Sequence, residues 1–269
     1  MSETIFITGA SSGLGKAVAK LFASRGWQVI ATMRSPEKET ELNAIKGITL
    51  LPLDVNDPAQ IDHAVKQALQ SGPVDVVFNN AGYGLSGPFE AVSEEQLTHQ
   101  INTNLLGVMR VTKAFIPAFR ERKAGMFIST TSIGGLVAFP FNSVYHATKW
   151  ALEGWSESLA FELSHFGIRV KTVSPGGILT DFAGRSLVLV EHPAYAVLLE
   201  KVKQVFFSPE RMAFYSTAEQ IADVVYEAAT DGKATLRYVA GADARATYSK
   251  RQELGDEQFR KEIASSFFG

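Results

Sequence analysis

Tyr145 and Lys149 stand four residues apart in the run Ser143-Val144-Tyr145-His146-Ala147-Thr148-Lys149. In a helix that spacing puts both side chains on one face, one turn apart. An unperturbed phenol titrates near ~10, too high to release its proton readily at neutral pH. A neighbouring ammonium favours the phenolate and lowers that value. A tyrosine tuned in this way can give a proton to a carbonyl oxygen and take it back in the reverse direction. A half-buried Tyr followed by a surface Lys gives the same spacing, so the pair acquires meaning only with other groups around it.

Further groups stand near the start of the chain, in Gly9-Ala10-Ser11-Ser12-Gly13-Leu14-Gly15. Glycines let the backbone turn sharply and approach a phosphate closely. A helix opening there presents free N–H groups and the positive end of its dipole. Ser11 and Ser12 add hydroxyl donors. Two other matches compete. Gly82-Tyr83-Gly84-Leu85-Ser86-Gly87 fits G-x-G-x-x-G, but Pro88 and a non-helical stretch follow where a helix should open. Gly9 to Gly13 also fits G-x-S-x-G, the nucleophile elbow of hydrolases. Too little chain precedes it to build an oxyanion hole, so a serine hydrolase stands as the alternative.

The bulk composition narrows the field. The chain has 269 residues, 46% of them hydrophobic, and a net charge of −2. That balance argues against nucleic acid or an anionic membrane as the main partner. No cysteine is present, so disulfides, thiolate nucleophiles and Cys-based metal sites are excluded. The five histidines are scattered without metal-ligand spacing, and no metal is expected. No apolar run is long enough to span a membrane, and the start lacks the basic region of a signal peptide. A cytoplasmic location is expected.

The elements that must position these residues follow from periodicity. Strands are expected over Thr4–Thr8, Trp27–Met33, Ile48–Leu53, Val74–Asn79, Met126–Thr131, Ile168–Ser174 and Leu236–Ala240. Helices are expected over Gly13–Arg25, Asp57–Gln70, Ser93–Arg120, Ser143–Phe166 and Thr217–Thr230. Asp57, with Pro58 behind it, is read as an N-cap, and Ser93 with Gln96 as a capping box. Strands apolar on both faces, alternating with helices, imply one α/β domain over residues 1–269 with a mainly parallel sheet. The less periodic stretch Asp181–Ser216 is expected to be a mobile insertion covering the substrate.

With the elements in place, the chain resembles the short-chain dehydrogenase/reductase family. The resemblance rests on Thr8 to Gly15, then Asn79-Asn80-Ala81-Gly82, Asn104, Ser132, Tyr145-x-x-x-Lys149 and Pro175-Gly176, in that order. It covers residues 4–185 by motif and Thr217–Ala244 more loosely. Tyr145–Leu163 and Arg237–Ala244 are most similar to the branch acting on steroid, retinoid or other apolar alcohols and ketones. The resemblance implies a doubly wound Rossmann-type sheet of about seven strands in the order 3-2-1-4-5-6-7. It also implies hydride transfer between a nicotinamide cofactor and a small apolar carbonyl/alcohol substrate.

Roles carry over from that resemblance. Tyr145 is the acid/base, and Lys149 lowers its pKa and holds the nicotinamide ribose. Ser132 hydrogen-bonds the substrate oxygen. Asn104 holds a water linking Lys149 to solvent. The Gly9, Ser11, Ser12, Gly13, Leu14, Gly15 turn and Asn80, Ala81, Gly82 line the cofactor, and Pro175, Gly176, Ile178 and Thr180 hold its amide. Asp54 accepts from the adenine amino group, with Val55 lending its backbone. The second strand ends Thr32-Met33-Arg34-Ser35, with no carboxylate until Glu37. Arg34 can pair with a 2′-phosphate, so NADP(H) is expected, with NAD(H) possible. Phe139 and Phe182 are expected to touch substrate, in an apolar group with Phe141, Leu187, Val188 and Leu189. Small residues Ala147, Ala151 and Gly154 on the Tyr145 helix suit close packing, and a homo-dimer or homo-tetramer is expected. A catalytically silent NADP-binding sensor is a further alternative, opposed by the complete set Asn104, Ser132, Tyr145 and Lys149.

Overall fold

Five of seven short strands have side chains buried on both faces, which in a chain rich in helices calls for a parallel sheet covered on two sides. The computed structural model describes residues 2–179 and 186–269. The strands are β1 (Thr4–Ile7), β2 (Gln28–Met33), β3 (Ile48–Pro52), β4 (Val76–Asn79), β5 (Gly125–Thr130), β6 (Ile168–Pro175) and β7 (Arg237–Ala240). They form one parallel sheet in the expected order, β3-β2-β1-β4-β5-β6-β7. In register, Ile5 lies between Val29 and Val76.

Alternation along the strands divides the core in two. Ile5 and Ile7 face one side, packing with Val18 and Phe22 of α1 (Gly13–Ser24) and with Ile221 and Val225 of a late helix (Ala218–Thr230). Phe6 and Val77 face the other side. There they meet Ile61 of α2 (Pro58–Gln70), Phe115 of α4 (Gly107–Arg122) and Leu159 of α5 (Ser143–Ser164). Local chemistry sets the helix ends. Asp57 caps α2 through the amides of Ala59 and Gln60. Ser93 and Gln96 form the capping box of α3 (Glu94–Ile101). Gly26, at φ +84, follows α1, a left-handed geometry that favours glycine.

Three features depart from the periodicity. The single helix expected over Ser93–Arg120 is α3 and α4 joined by a π turn at Asn102–Leu106. One extra residue in the turn shifts the apolar phase, and a periodicity count does not resolve a slip of one residue. Next, the region expected to be irregular holds α6 (Ala196–Phe206) and α7 (Pro209–Met212), with Leu199 and Val202 of α6 buried. Finally, after α8 (Ala218–Thr230), a helix over Ala242–Phe268 closes the described chain; no sequence signal announced it. Its surface is polar nearly all round, and only Ala244, Phe259 and Phe267 are buried. It comprises two helical stretches meeting at Gly255, whose φ of 73 and ψ of 168 are not helical. Among the described residues no helix is long and apolar enough to cross a membrane.

Candidate active site

The chain runs outward from β1 to β2 and β3, then returns to place β4 on the other side of β1. Connections diverge where the order reverses, which opens a crevice at the carboxyl ends of β1 and β4. The glycine-rich turn sits there. Gly9 has φ +69, and a Cβ on it would lie 2.8 Å from the Cα of Ala81. A Cβ on Gly15 would run into the carbonyl oxygen of Gly9 and the amide of Asn80. Asn80 Nδ2 donates to the carbonyls of Thr8 (3.2 Å) and Gly9 (3.0 Å). Thr8 Oγ1 accepts from the backbone amides of Asn80 and Ala81. The turn is thus clamped to the end of β4.

Helix α1 starts from this turn without a side-chain cap from Ser12 and without an acid in its first turn. By contrast, α2, α3 and α8 are capped by Asp57, Ser93 and Thr217. A helix N-terminus left open on a crevice, beside two serine hydroxyls, is suited to an anion.

A cleft of about 1100 Å³ runs along these strand ends. On the β2–β3 side it is bordered by Arg34, Asp54 and Val55, and centrally by Gly9, Ser11, Ser12, Gly13, Leu14, Asn80, Ala81 and Gly82. Towards β5 and β6 it is bordered by Ser132, Tyr145, Lys149, Pro175, Gly176 and Ile178. The residues singled out by type and spacing are therefore gathered from across the sequence onto one surface. Asp54 Oδ1 accepts from the backbone and side-chain amides of Asn56, both at 2.9 Å. Arg34 is exposed and forms no ion pair with any described residue, whereas Lys16 of α1 is engaged by Glu39 at 3.0 Å.

At the other end, α5 presents Tyr145 and Lys149. Lys149 is buried, and its Nζ donates to the carbonyl of Thr130 at 2.8 Å. Burial brings its pKa down to about 8, against the opposing pull of the Glu153 carboxylate one turn further on. Nζ lies 5.7 Å from the centre of the Tyr145 ring. The expectation that Lys149 lowers the phenol is not met in this geometry. Burial pushes Tyr145 above its ordinary value, and the opposing pull comes from the Ser132 hydroxyl. Behind Lys149, Glu153 is buried and receives Ser174 Oγ (2.9 Å), Thr172 Oγ1 (3.3 Å) and Arg237 Nε (2.7 Å).

Several expected residues stand elsewhere. Gly15 does not border the cleft; it lets α1 pack onto Gly9 and Asn80. Asn104 is buried in the π turn, with Oδ1 accepting from Tyr83 N (3.0 Å) and Nδ2 donating to Tyr83 O (2.8 Å). Its side chain thus holds the segment behind Gly82. Phe139 does not border the cleft either. It packs edge-on against Phe206 of α6 and beside Phe267 of the last helix, because those two elements supply an apolar wall that the sequence did not reveal. Thr180 and Phe182 lie outside the described residues. The G-x-G-x-x-G match opens no helix, since Gly84–Ser86 is a short strand paired with Leu187–Leu189. For the hydrolase alternative, Ser11 needs a base, and none of the hydrogen bonds among the described residues joins it to a histidine: His146 bonds Gly134 and Phe139, and His192 bonds Ala194. Sequence reasoning passed over Thr130 and Thr131, which border the cleft; their place at the end of β5, just ahead of Ser132, was the available signal.

Fold and crevice together define a Rossmann-type α/β protein with its functional surface at the sheet's switch point. The chain belongs to the short-chain dehydrogenase family, whose pattern it matches over residues 3–187. It is 36% identical to an oxidoreductase, BOA17, of Botryotinia fuckeliana, over 97% of this chain and 98% of that one. It is 36% identical to human retinol dehydrogenase 8, over 83% of this chain and 75% of the relative. The crystal structure of a short-chain dehydrogenase from Streptomyces avermitilis superimposes with a TM-score of 0.86 at 32% identity, covering 98% of this chain and 95% of the other.

Proposed function

We propose that this oxidoreductase interconverts an apolar ketone or aldehyde and its alcohol with NADP(H), using Tyr145 as the acid/base. The observation that carries the reading is the meeting of Ser132, Tyr145 and Lys149 in the same cleft as the glycine turn. That turn fits a dinucleotide pyrophosphate, because Gly9, Ser11, Ser12 and Gly13 border the cleft and α1 opens there uncapped. Gly9, Ser11, Ser12 and Gly13 would hold the phosphates, and Pro175, Gly176 and Ile178 would border the nicotinamide. A bound nicotinamide supplies or accepts the hydride.

The chain's own residues handle the proton. Tyr145 Oη gives it to the carbonyl oxygen in reduction and removes it from the alcohol in oxidation. The Ser132 hydroxyl donates to the same oxygen and steadies the charge that develops there. Lys149, held 5.7 Å from the centre of the Tyr145 ring, would hold the nicotinamide ribose, while the pull that favours phenolate in this geometry comes from the Ser132 hydroxyl. Arg34, exposed at the end of β2 with no carboxylate beside it in sequence, favours a 2′-phosphate and hence NADP(H) over NAD(H). Leu85, Ile178 and Val188 border the cleft and support an apolar substrate. Val188 comes from the stretch after Asp181, in keeping with a substrate-covering role for that insertion. Trp150 and Phe161 are exposed on α5, and a Cβ on Gly154 would meet open space, which supports a homo-oligomer through that helix.

The test is consumption of NADPH with a panel of apolar ketones, with p-nitrophenyl esters alongside. We expect ketone-dependent loss of the reduced-nicotinamide absorbance, and a fall on the order of 100-fold or more in Tyr145→Phe. Ester turnover without cofactor, or a Tyr145→Phe protein as fast as the parent, would overturn the proposal.

A further inference from the structure

The residue after Tyr145 is a histidine that the proposed chemistry does not use. His146 is 7% exposed, and its ring makes two hydrogen bonds, both to backbone. Nδ1 lies 2.6 Å from the carbonyl oxygen of Gly134. Nε2 lies 3.0 Å from the amide nitrogen of Phe139. A carbonyl can only accept and a backbone N–H can only donate. The partners therefore fix the tautomer: Nδ1 carries the proton and donates to Gly134, while Nε2 accepts from Phe139. An imidazolium cannot satisfy both, because its Nε2–H would confront the N–H of Phe139.

The bridge reaches the site through one further bond. The amide of Gly134 donates to Ser132 Oγ at 2.9 Å, within the tight turn Ile133–Gly135. A Cβ on Gly134 would lie 2.7 Å from Nδ1 of His146 and 3.3 Å from Ser132 Oγ, so the ring and the hydroxyl flank the same residue. The path from imidazole to hydroxyl runs through a single residue, Gly134. On its other side the ring ties down Phe139, whose own ring rests on Phe206 and Phe267.

We propose that His146 is a positioning residue: its singly protonated imidazole clamps the turn that orients the Ser132 hydroxyl towards Tyr145. This rests on the oxidoreductase reading above and adds to it a determinant of geometry that touches neither substrate nor cofactor. The site should then have an acid limit set by His146. Burial lowers its pKa below the ordinary 6.5, with the Gly134 carbonyl opposing. The charged and titratable groups around it are Tyr145, Lys149 and Glu153 on its own helix. Beyond the Phe139 ring stand Arg211 of α7, 5.4 Å from that ring's centre, and Tyr248 of the last helix.

The experiment has a spectroscopic arm and a kinetic arm. Nitrogen-15 NMR of the intact protein should show His146 as the Nδ1–H tautomer, titrating below 6.5. An Nε2–H tautomer, or an ordinary titration, would overturn the bridge whether or not any substrate is found. In kinetics, His146→Phe should lower kcat on the order of 10-fold while the KM for NADPH holds, and His146→Gln, which keeps one donor and one acceptor, should recover most of that loss. In a Ser132→Ala background the same His146→Phe change should cost at most about twofold, since the residue acts through Ser132. An equal factor in both backgrounds would mean a merely structural role and sink the proposal. If His146→Phe does not fold, His146→Gln and the NMR arm still decide it. If Ser132→Ala and Tyr145→Phe both retain the parent rate, the oxidoreductase reading falls instead.

Discussion

Lys149 Nζ on α5 donates to the carbonyl of Thr130, the last residue of β5, at 2.8 Å. The bond draws the ammonium beneath the face of the Tyr145 ring. One side chain is thereby given two tasks, to secure the end of a central strand and to lend charge to the site. Burying that charge is costly, and the depressed pKa records the cost.

The cost should be visible in stability against pH. Below a pH of about 8 Lys149 is charged in both folded and unfolded chains, and the full burial penalty applies. Between about 8 and 10.5 the unfolded chain holds the proton that the folded one has lost, so the folded state gains as pH rises. Lys149→Met removes the titration. Its stability relative to the parent should decline across that window by up to about 3 kcal/mol, read from urea melts at each pH. A constant difference would show that the buried ammonium is not penalised.

Arg34→Ala tests the cofactor reading. Loss of a charge-assisted contact to a 2′-phosphate should raise the KM for NADPH on the order of 10-fold to 100-fold and leave that for NADH within about twofold. Equal changes for both would remove the argument for NADP(H).

Two glycines give a controlled comparison. Gly9 and Gly26 both have positive φ, but a Cβ on Gly9 would strike Ala81 whereas one on Gly26 would meet nothing within 4 Å. Gly26→Ala should cost about 1 kcal/mol from backbone strain alone. Gly9→Ala should cost about 1–3 kcal/mol more and abolish the thermal shift on adding NADPH. Similar melting temperatures for the two variants would contradict the tight approach of the turn to Ala81.

Glu153 and Arg237 form a pair at 2.7 Å, with the carboxylate almost wholly buried. Glu153→Gln leaves Arg237 without its main counter-charge and should destabilise by about 2–4 kcal/mol in denaturant melts. The Glu153→Gln, Arg237→Gln double variant should lose less than the sum of the single losses. Strict additivity would show that the two charges are not coupled.

Much of this was legible in the sequence because the signals were local or strongly periodic. The strands, the caps at Asp57 and Ser93, and the shared face of Tyr145 and Lys149 rest on short-range patterns, whereas the strand order and the place of Ser132 beside them came with the family resemblance. Phe139 was misplaced because its neighbours, Phe206 and Phe267, lie far from it in sequence, and no local pattern shows that their helices meet there. The tuning of Tyr145 was misjudged because spacing reports that two groups share a helix face, and says nothing of a carbonyl such as Thr130 that redirects one of them. His146 stood in plain view beside Tyr145. Its partners are backbone atoms of Gly134 and Phe139, which leave no mark in a string of side chains.

The π turn at Asn102–Leu106 carries a consequence for the whole helical layer. Each α-helical residue advances the spiral by about 100°, so the additional residue works as a fixed rotation between α3 and α4. It lets Gly107 slide against Val55 at the edge of the cleft while Asn104 points back to Tyr83. Excising a single residue there would preserve the hydrophobic composition of both helices and still swing Phe115 and Phe119 away from the sheet they cover.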